Sequence, residues 1–396
     1  MPQKPNRAAP GGARSAGPLG RITRLGVVPL LLLCAGIRIG MSLERAARRP
    51  APAERAPPAP EAPSPAPEPA PAEHPACEVT GSFQNNLYPS LLLSFGTTYP
   101  EYARCLTVAL RGLPASGDVE LRLDSALFLR PLQVTVDAAS GAATLSPELP
   151  WNYDLLRRIS QVEPQAFVAL VSVDGKPAAQ ATAVCTVHAI NEAVSRVFST
   201  ASGQWQDTSV CFAAFVNEDH PWISTLLQEA VAASGIRAFN GYQSGPQGAQ
   251  RQVQAVWEAL AARGLTYVNV ATDSGTSPFV STQYVRFLDQ SVREQGANCV
   301  DASVLFASVL RRIGLRPVLL FRPGHCFAGY YDAEEGGNLV AFEPTMLGSA
   351  PFAASLAEGS RELQSTMPFI GTSQYSVVDI ALCRRQGINP IGFQAP

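Results

Sequence analysis

The sequence is short of charge and of metal ligands. Asp, Glu, Lys and Arg make up 16% of its 396 residues and the net charge is -2. It therefore lacks the dense basic surface on which nucleic-acid binding depends, and no nucleic-acid partner is expected. Its four histidines lie far apart and no Cys-x-x-Cys occurs. A zinc site is not expected, and no metal or organic cofactor is implied. Long apolar runs are missing too: "LGVVPLLLLCAGI" at 25–37 stops at Arg38, short of the roughly 20 residues that a membrane span takes. Acidic residues are absent from the first 24 positions, which carry Lys4, Arg7, Arg14, Arg21 and Arg24. A basic flank before about a dozen apolar residues is the make-up of an export signal. With Arg38 snorkelling to an interface, 25–43 reads as a signal anchor with residues 1–24 cytoplasmic; otherwise it reads as a cleaved signal peptide. Either way the remainder is expected in the cell envelope, outside the cytoplasm, with the membrane as a partner if the segment is kept.

What is present is unevenly spread. Of 34 prolines, 11 fall in residues 50–75, which hold no large apolar side chain. Such a stretch cannot form a core, so 44–76 is expected to be a disordered, polyproline-like spacer of up to roughly 80 Å. From 77 to 190, the segments 105–113, 118–124, 132–145 and 166–190 run between turn signals such as "DAASGA" and "VDGKPA". That is the pattern of a small β-sandwich. His188 ends a strand with no evident partner. Setting aside Cys34 and Cys299 leaves Cys77, Cys105, Cys185, Cys211, Cys326 and Cys383, and an exported chain permits 15 pairings of six cysteines.

Beyond about 205 the texture changes. The periodicity predicts helices over 221–235, 247–265 and 298–313, and strands over 266–272, 316–324, 325–332 and 338–346, with "AEEGG" at 333–337 between the last two. Helices packed on antiparallel strands make 205–396 an α+β unit. One stretch in it is chemically unusual: "GANCVDASVLFASVLRRIG" (296–314) sets Cys299 at a helix N-terminus, whose positive end favours a thiolate. The strands that follow deliver His325 and then Glu343 as cross-strand neighbours. An imidazole beside a thiol can take its proton and return it to a leaving amine, and a carboxylate fixes the ring. Alternation turns Cys326 away from His325, toward the interior or a disulfide.

"NCVDASVLFASVLRRIGLRPVLL…PGHCFAGYY…VAFEPTM" resembles the transglutaminase-like superfamily, most strongly over 296–348. The resemblance implies a papain-like core over 205–396, with Cys299 as nucleophile, His325 as general base and acid, and Glu343 where the family usually carries Asp. It implies acyl transfer at amide bonds, by a peptidase, amidase or transamidase acting on a peptide, protein or cell-wall peptide. Some members of the family are inactive, so the alternative is a catalytically silent scaffold or peptide-binding protein of the envelope. For the oxyanion, the Cys299 N–H is one donor, and Gln283 or Gln295 is a further candidate. Asp301 is expected to face Arg286 rather than the thiol. "FVNEDHPW" (215–222) is expected to start a helix, with Asp219 or His220 capping and Pro221 in the first turn. The loops 241–245 and 272–279 are expected to line a cleft.

Overall fold

The computed structural model describes residues 74–392, except 201, 269–276 and 373. The apolar run at 25–43 and nearly all of the proline-rich stretch lie outside the described residues. Those described fall in one compact unit, of mixed α and β structure with several sheets. Among them no helix is long and apolar enough to cross a membrane.

Eight strands come first: β1 Ala76–Gly81, β2 Asn86–Leu87, β3 Leu106–Arg111, β4 Val119–Asp124, β5 Leu132–Val136, β6 Ala142–Leu145, β7 Glu163–Val173 and β8 Lys176–Val187. They form two sheets, β1-β3-β6 and β2-β8-β7-β4-β5. Alternation turns Val108 and Leu110 of β3 and Leu121 and Leu123 of β4 into a shared core with Trp151 and Phe167; burying each such side chain is worth about 1.5–3 kcal/mol. The β7–β8 hairpin closes at Asp174 and Gly175, with φ of 50° and 72°, the two-residue turn that "VDGKPA" signals. "DAASGA" does something else. Because β5 pairs with β4 whereas β6 pairs with β3, the segment 132–145 crosses between sheets and closes no hairpin. A helix, α1 Pro89–Phe95, interrupts this β region; all seven of its residues are buried, so it shows no apolar period to betray it.

The second region opens with β9 Glu192–Ser199 and β10 Gln204–Asp207, then the helices α2 Pro221–Ser234 and α3 Gly245–Ala262. Of the strand expected over 266–272, residues 266–268 are described, and β11 takes Thr266–Tyr267 of them. Then come β12 Val280–Tyr284, α4 Leu288–Glu294, β13 Gly296–Ala297 and α5 Cys299–Arg312. The strands β14 Pro317–Arg322, β15 His325–Tyr331, β16 Leu339–Phe342 and β17 Ser376–Asp379 make an antiparallel sheet in the order β16-β15-β14-β17. On α5 every residue from Val300 to Leu310 is buried, as befits a helix covered on all sides. Phe306 stacks on Trp257 of α3, and Ala328 and Tyr330 of β15 belong to the same core. A helix the sequence did not announce, α6 Phe352–Thr366, covers the opposite face of the sheet, with Leu363 against Val318, Leu320 and Phe327. The core around Phe167 continues through Val280, Val300 and Leu319 into this second region.

Candidate active site

The first candidate side chain depends on a helix cap. Asn298 Oδ1 accepts from the N–H groups of Val300 and Asp301, both at 2.9 Å, while Asp301 Oδ2 accepts from Asn298 N at 3.1 Å. This reciprocal cap fixes where α5 begins, so Cys299 is its first residue, and it is partly exposed. Asp301 faces Arg286, as expected: its carboxylate accepts from Arg286 N at 2.8 Å and from Arg286 Nη1 at 2.9 Å. Burial pushes that carboxyl up against the pull of these bonds.

The other two side chains come from the sheet. After a turn at Pro323 and Gly324, β15 opens with His325, paired to Arg322 of β14. The β15–β16 register pairs Ala328 with Phe342, so one further step sets Glu343 across from Phe327. His325 and Glu343 are thus diagonal neighbours on one face, not directly opposed. The extra methylene of glutamate suits that diagonal, and His325 Nε2 lies 2.8 Å from Glu343 Oε2. Glu343 Oε1 accepts from Thr345 N at 2.9 Å, and the Glu343 backbone N–H is held by Ser355 Oγ of α6 at 2.9 Å. Cys299 stands beside the His325 ring and acts on its ionisation. Burial by itself would lower the pKa of the ring, but Cys299 and the carboxylates of Glu343 and Glu362 push it up to about 12. For Glu343, burial works against ionisation, and its interactions with His325, Glu362 and Thr345 outweigh it and hold the carboxyl below its ordinary value.

The structure therefore brings Cys299, His325 and Glu343 together, and leaves other candidates elsewhere. Gln283 Nε2 donates to Tyr284 O at 3.0 Å and Gln295 Nε2 to Arg263 O at 2.9 Å; neither amide is bonded to the three. The loop 241–245 packs at the far end of α5, where Gly241 abuts Gly314 and Tyr242 donates to Tyr331 O. At 1.5 Å per residue that is about 20 Å from Cys299 along the helix, so this loop does not line the site. In the loop 272–279, residues 272–276 lie outside the described residues. All seven cysteines among the described residues are free thiols. Burial pushes up those of Cys77, Cys105, Cys211 and Cys326, and raises Cys185 to about 11 and Cys383 to about 12.

Two neighbours were not foreseen. Glu362 of α6 puts Oε2 3.4 Å from His325 Nε2 and Oε1 3.8 Å from Arg322 Nη1. Tyr267 of β11, paired with Ala297, has its hydroxyl pKa raised by partial burial and by the charge of Cys299, with His325 opposing. The signal for Glu362 was the run Ser355, Gly359, Glu362, one face of a helix at i, i+4 and i+7. The donor atoms of His325, Glu343 and Glu362 lie within 4.8 Å of one another. A cation among them would compete with the 2.8 Å bond between His325 and Glu343.

No family model and no curated protein matches the chain. Among solved structures it has a faint likeness to the transglutaminase of red sea bream, at 12% identity and a TM-score of 0.19, covering 62% of this chain and 48% of that one. The chain thus spans about half the length of that enzyme, and a likeness this slight says nothing of the residues at the site.

Proposed function

We propose that the chain is a transglutaminase-like thiol enzyme that acts on amide bonds through a Cys299 acyl-enzyme. The observation that carries this reading is the meeting of three side chains at one spot: Cys299 at the first residue of α5 stands beside His325, and His325 Nε2 lies 2.8 Å from Glu343 Oε2. The Cys299 thiolate attacks the carbonyl carbon while His325 already carries the proton that the thiol gave up. His325 then returns that proton to the departing nitrogen, and water or an amine releases the acyl group. Glu343 holds the ring. The Asn298 cap occupies the N–H groups of Val300 and Asp301, which leaves the Cys299 N–H as the helix-end donor for the oxyanion. Residues 77–190 are the small β-sandwich and 205–396 the transglutaminase-like unit. Residues 25–43 serve as signal anchor or cleaved signal and 44–76 as a stand-off spacer, so the substrate is a peptide, protein or cell-wall peptide in the envelope.

One observation favours the silent-module reading instead. With the carboxylates of Glu343 and Glu362 both against Nε2, the imidazolium gives its proton back reluctantly, since a general acid works best near the operating pH. The test is limited alkylation of the folded chain with iodoacetamide, followed by mass-spectrometric site assignment. Cys299 should react first, about tenfold or more ahead of the six thiols that burial keeps protonated. Equal labelling of Cys299 and the others would sink the enzyme reading.

A further inference from the structure

A single carboxylate suffices to orient a catalytic imidazole, yet His325 has two. The helix α6 lies so close to β16 that a Cβ at Gly359 would collide with the Phe342 backbone. On the same stripe of α6, Ser355 Oγ both accepts from Glu343 N and donates to Glu343 O, each at 2.9 Å. The contact that pins Glu343 therefore also carries Glu362 to the ring. Glu362 Oε2 lies 3.4 Å from the Nε2 that already meets Glu343 at 2.8 Å. That oxygen is buried and accepts no hydrogen bond of its own; the groups beside it are the imidazole, at 3.4 Å, and the carboxylate of Glu343. The titratable and charged groups around the ring are Cys299 from α5, Tyr267 from β11, Arg322 from β14, Glu343 from the end of β16 and Glu362 from α6. Glu358 and Arg361, on the same helix, pair with each other.

We propose that Glu362 is a second positioning residue for His325, which is thus held by a pair of carboxylates and not by one. The inference rests on the reading of Cys299, His325 and Glu343 as a thiol site and deepens it. Each acid stabilises the imidazolium, so the pair lengthens the life of the thiolate–imidazolium state and slows return of the proton to a leaving group. Glu362 sets that balance without touching the reacting atoms.

The test reads His325 directly, in the full chain, with ring-labelled histidine and NMR titration; a His325→Gln variant assigns its signal among the four histidines. In the unaltered protein His325 should stay protonated past about pH 9. Glu362→Gln should lower the midpoint by about one unit or more, Glu343→Gln by at least as much, and the double variant should bring it toward the ordinary value of about 6.5. Glu362→Asp, which keeps the charge on a shorter stem, should fall between and serves as well if Glu362→Gln fails to fold. A midpoint that ignores every change at Glu362, or an unaltered protein that already titrates near 6.5, overturns the proposal. The titration needs no reaction at sulfur. An unreactive Cys299 would therefore defeat the enzyme reading alone, and a selectively reactive Cys299 with an indifferent midpoint would defeat this inference alone.

Discussion

Each half of the molecule contains a histidine bound to a glutamate, and the two pairs differ in their third partner. In the first half, His188 Nδ1 lies 3.0 Å from Glu192 Oε2, Nε2 lies 2.9 Å from Asn86 Oδ1, and the ring stacks on Tyr88 with centroids 4.2 Å apart. In the second, His325 gives one edge to Glu343 and Glu362 and has the thiol of Cys299 beside it. The carboxylate distances are alike, so an imidazole–carboxylate pair alone carries no functional meaning. What separates the two is the neighbouring group: a side-chain amide at His188, and at His325 a thiol on the first residue of a helix. His188 looked partnerless in the sequence because Asn86 lies 102 residues away and is brought alongside by the parallel β2–β8 pairing.

The comparison is most easily broken at the cap that places the thiol. Asp301 is fully buried and joins Arg286 to the start of α5. Asp301→Ala leaves the guanidinium without its buried partner and removes half the capping box, and should cost about 3–5 kcal/mol by urea unfolding. A loss under 1 kcal/mol would mean that the cap does not fix Cys299. Next in size, His325→Ala should slow alkylation of Cys299 about 100-fold. His188→Ala should leave that rate unchanged while destabilising the fold by about 2 kcal/mol, through the stranded Glu192 and Asn86. If both variants slowed the thiol equally, the distinction between the two pairs would collapse.

How much of this was legible follows from which interactions are local. Asn298, Asp301 and Gly314 mark both ends of α5, and the Pro323–Gly324 turn sets His325 at the head of a strand, so the thiol and the ring could be placed from neighbouring residues. The diagonal between His325 and Glu343 could not. It depends on how the 333–337 turn sets the register, where Asp332 accepts from Asn338 N at 2.7 Å. Glu362 was hidden for a different reason. The face of α6 that meets the sheet edge is built from Ser355 and Gly359, small residues that allow close approach but give little apolar signal. Gln283 was a plausible donor by type alone, and its amide turned out to be spent on its own strand.

A third histidine sharpens the contrast by doing neither job. His220 Nδ1 accepts from Trp222 N at 3.3 Å and caps α2, ahead of Pro221, so the choice between Asp219 and His220 falls to the latter. Burial lowers its pKa, with Asp289 opposing. A cap that must accept needs the neutral ring, and a folded-state pKa below the unfolded one means the unfolded chain binds more protons as pH falls. The stabilisation is therefore present above about pH 6.5 and is lost as pH drops below it. His220→Ala should cost about 1 kcal/mol at pH 7.5. His220→Asn keeps an acceptor that does not titrate, so it should match the unaltered protein at pH 7.5 and exceed it at pH 5.5. Urea midpoints at the two pH values decide the matter: parallel losses in the unaltered chain and His220→Asn would remove the cap from the account, and a change in the Cys299 alkylation rate would tie α2 to the site after all.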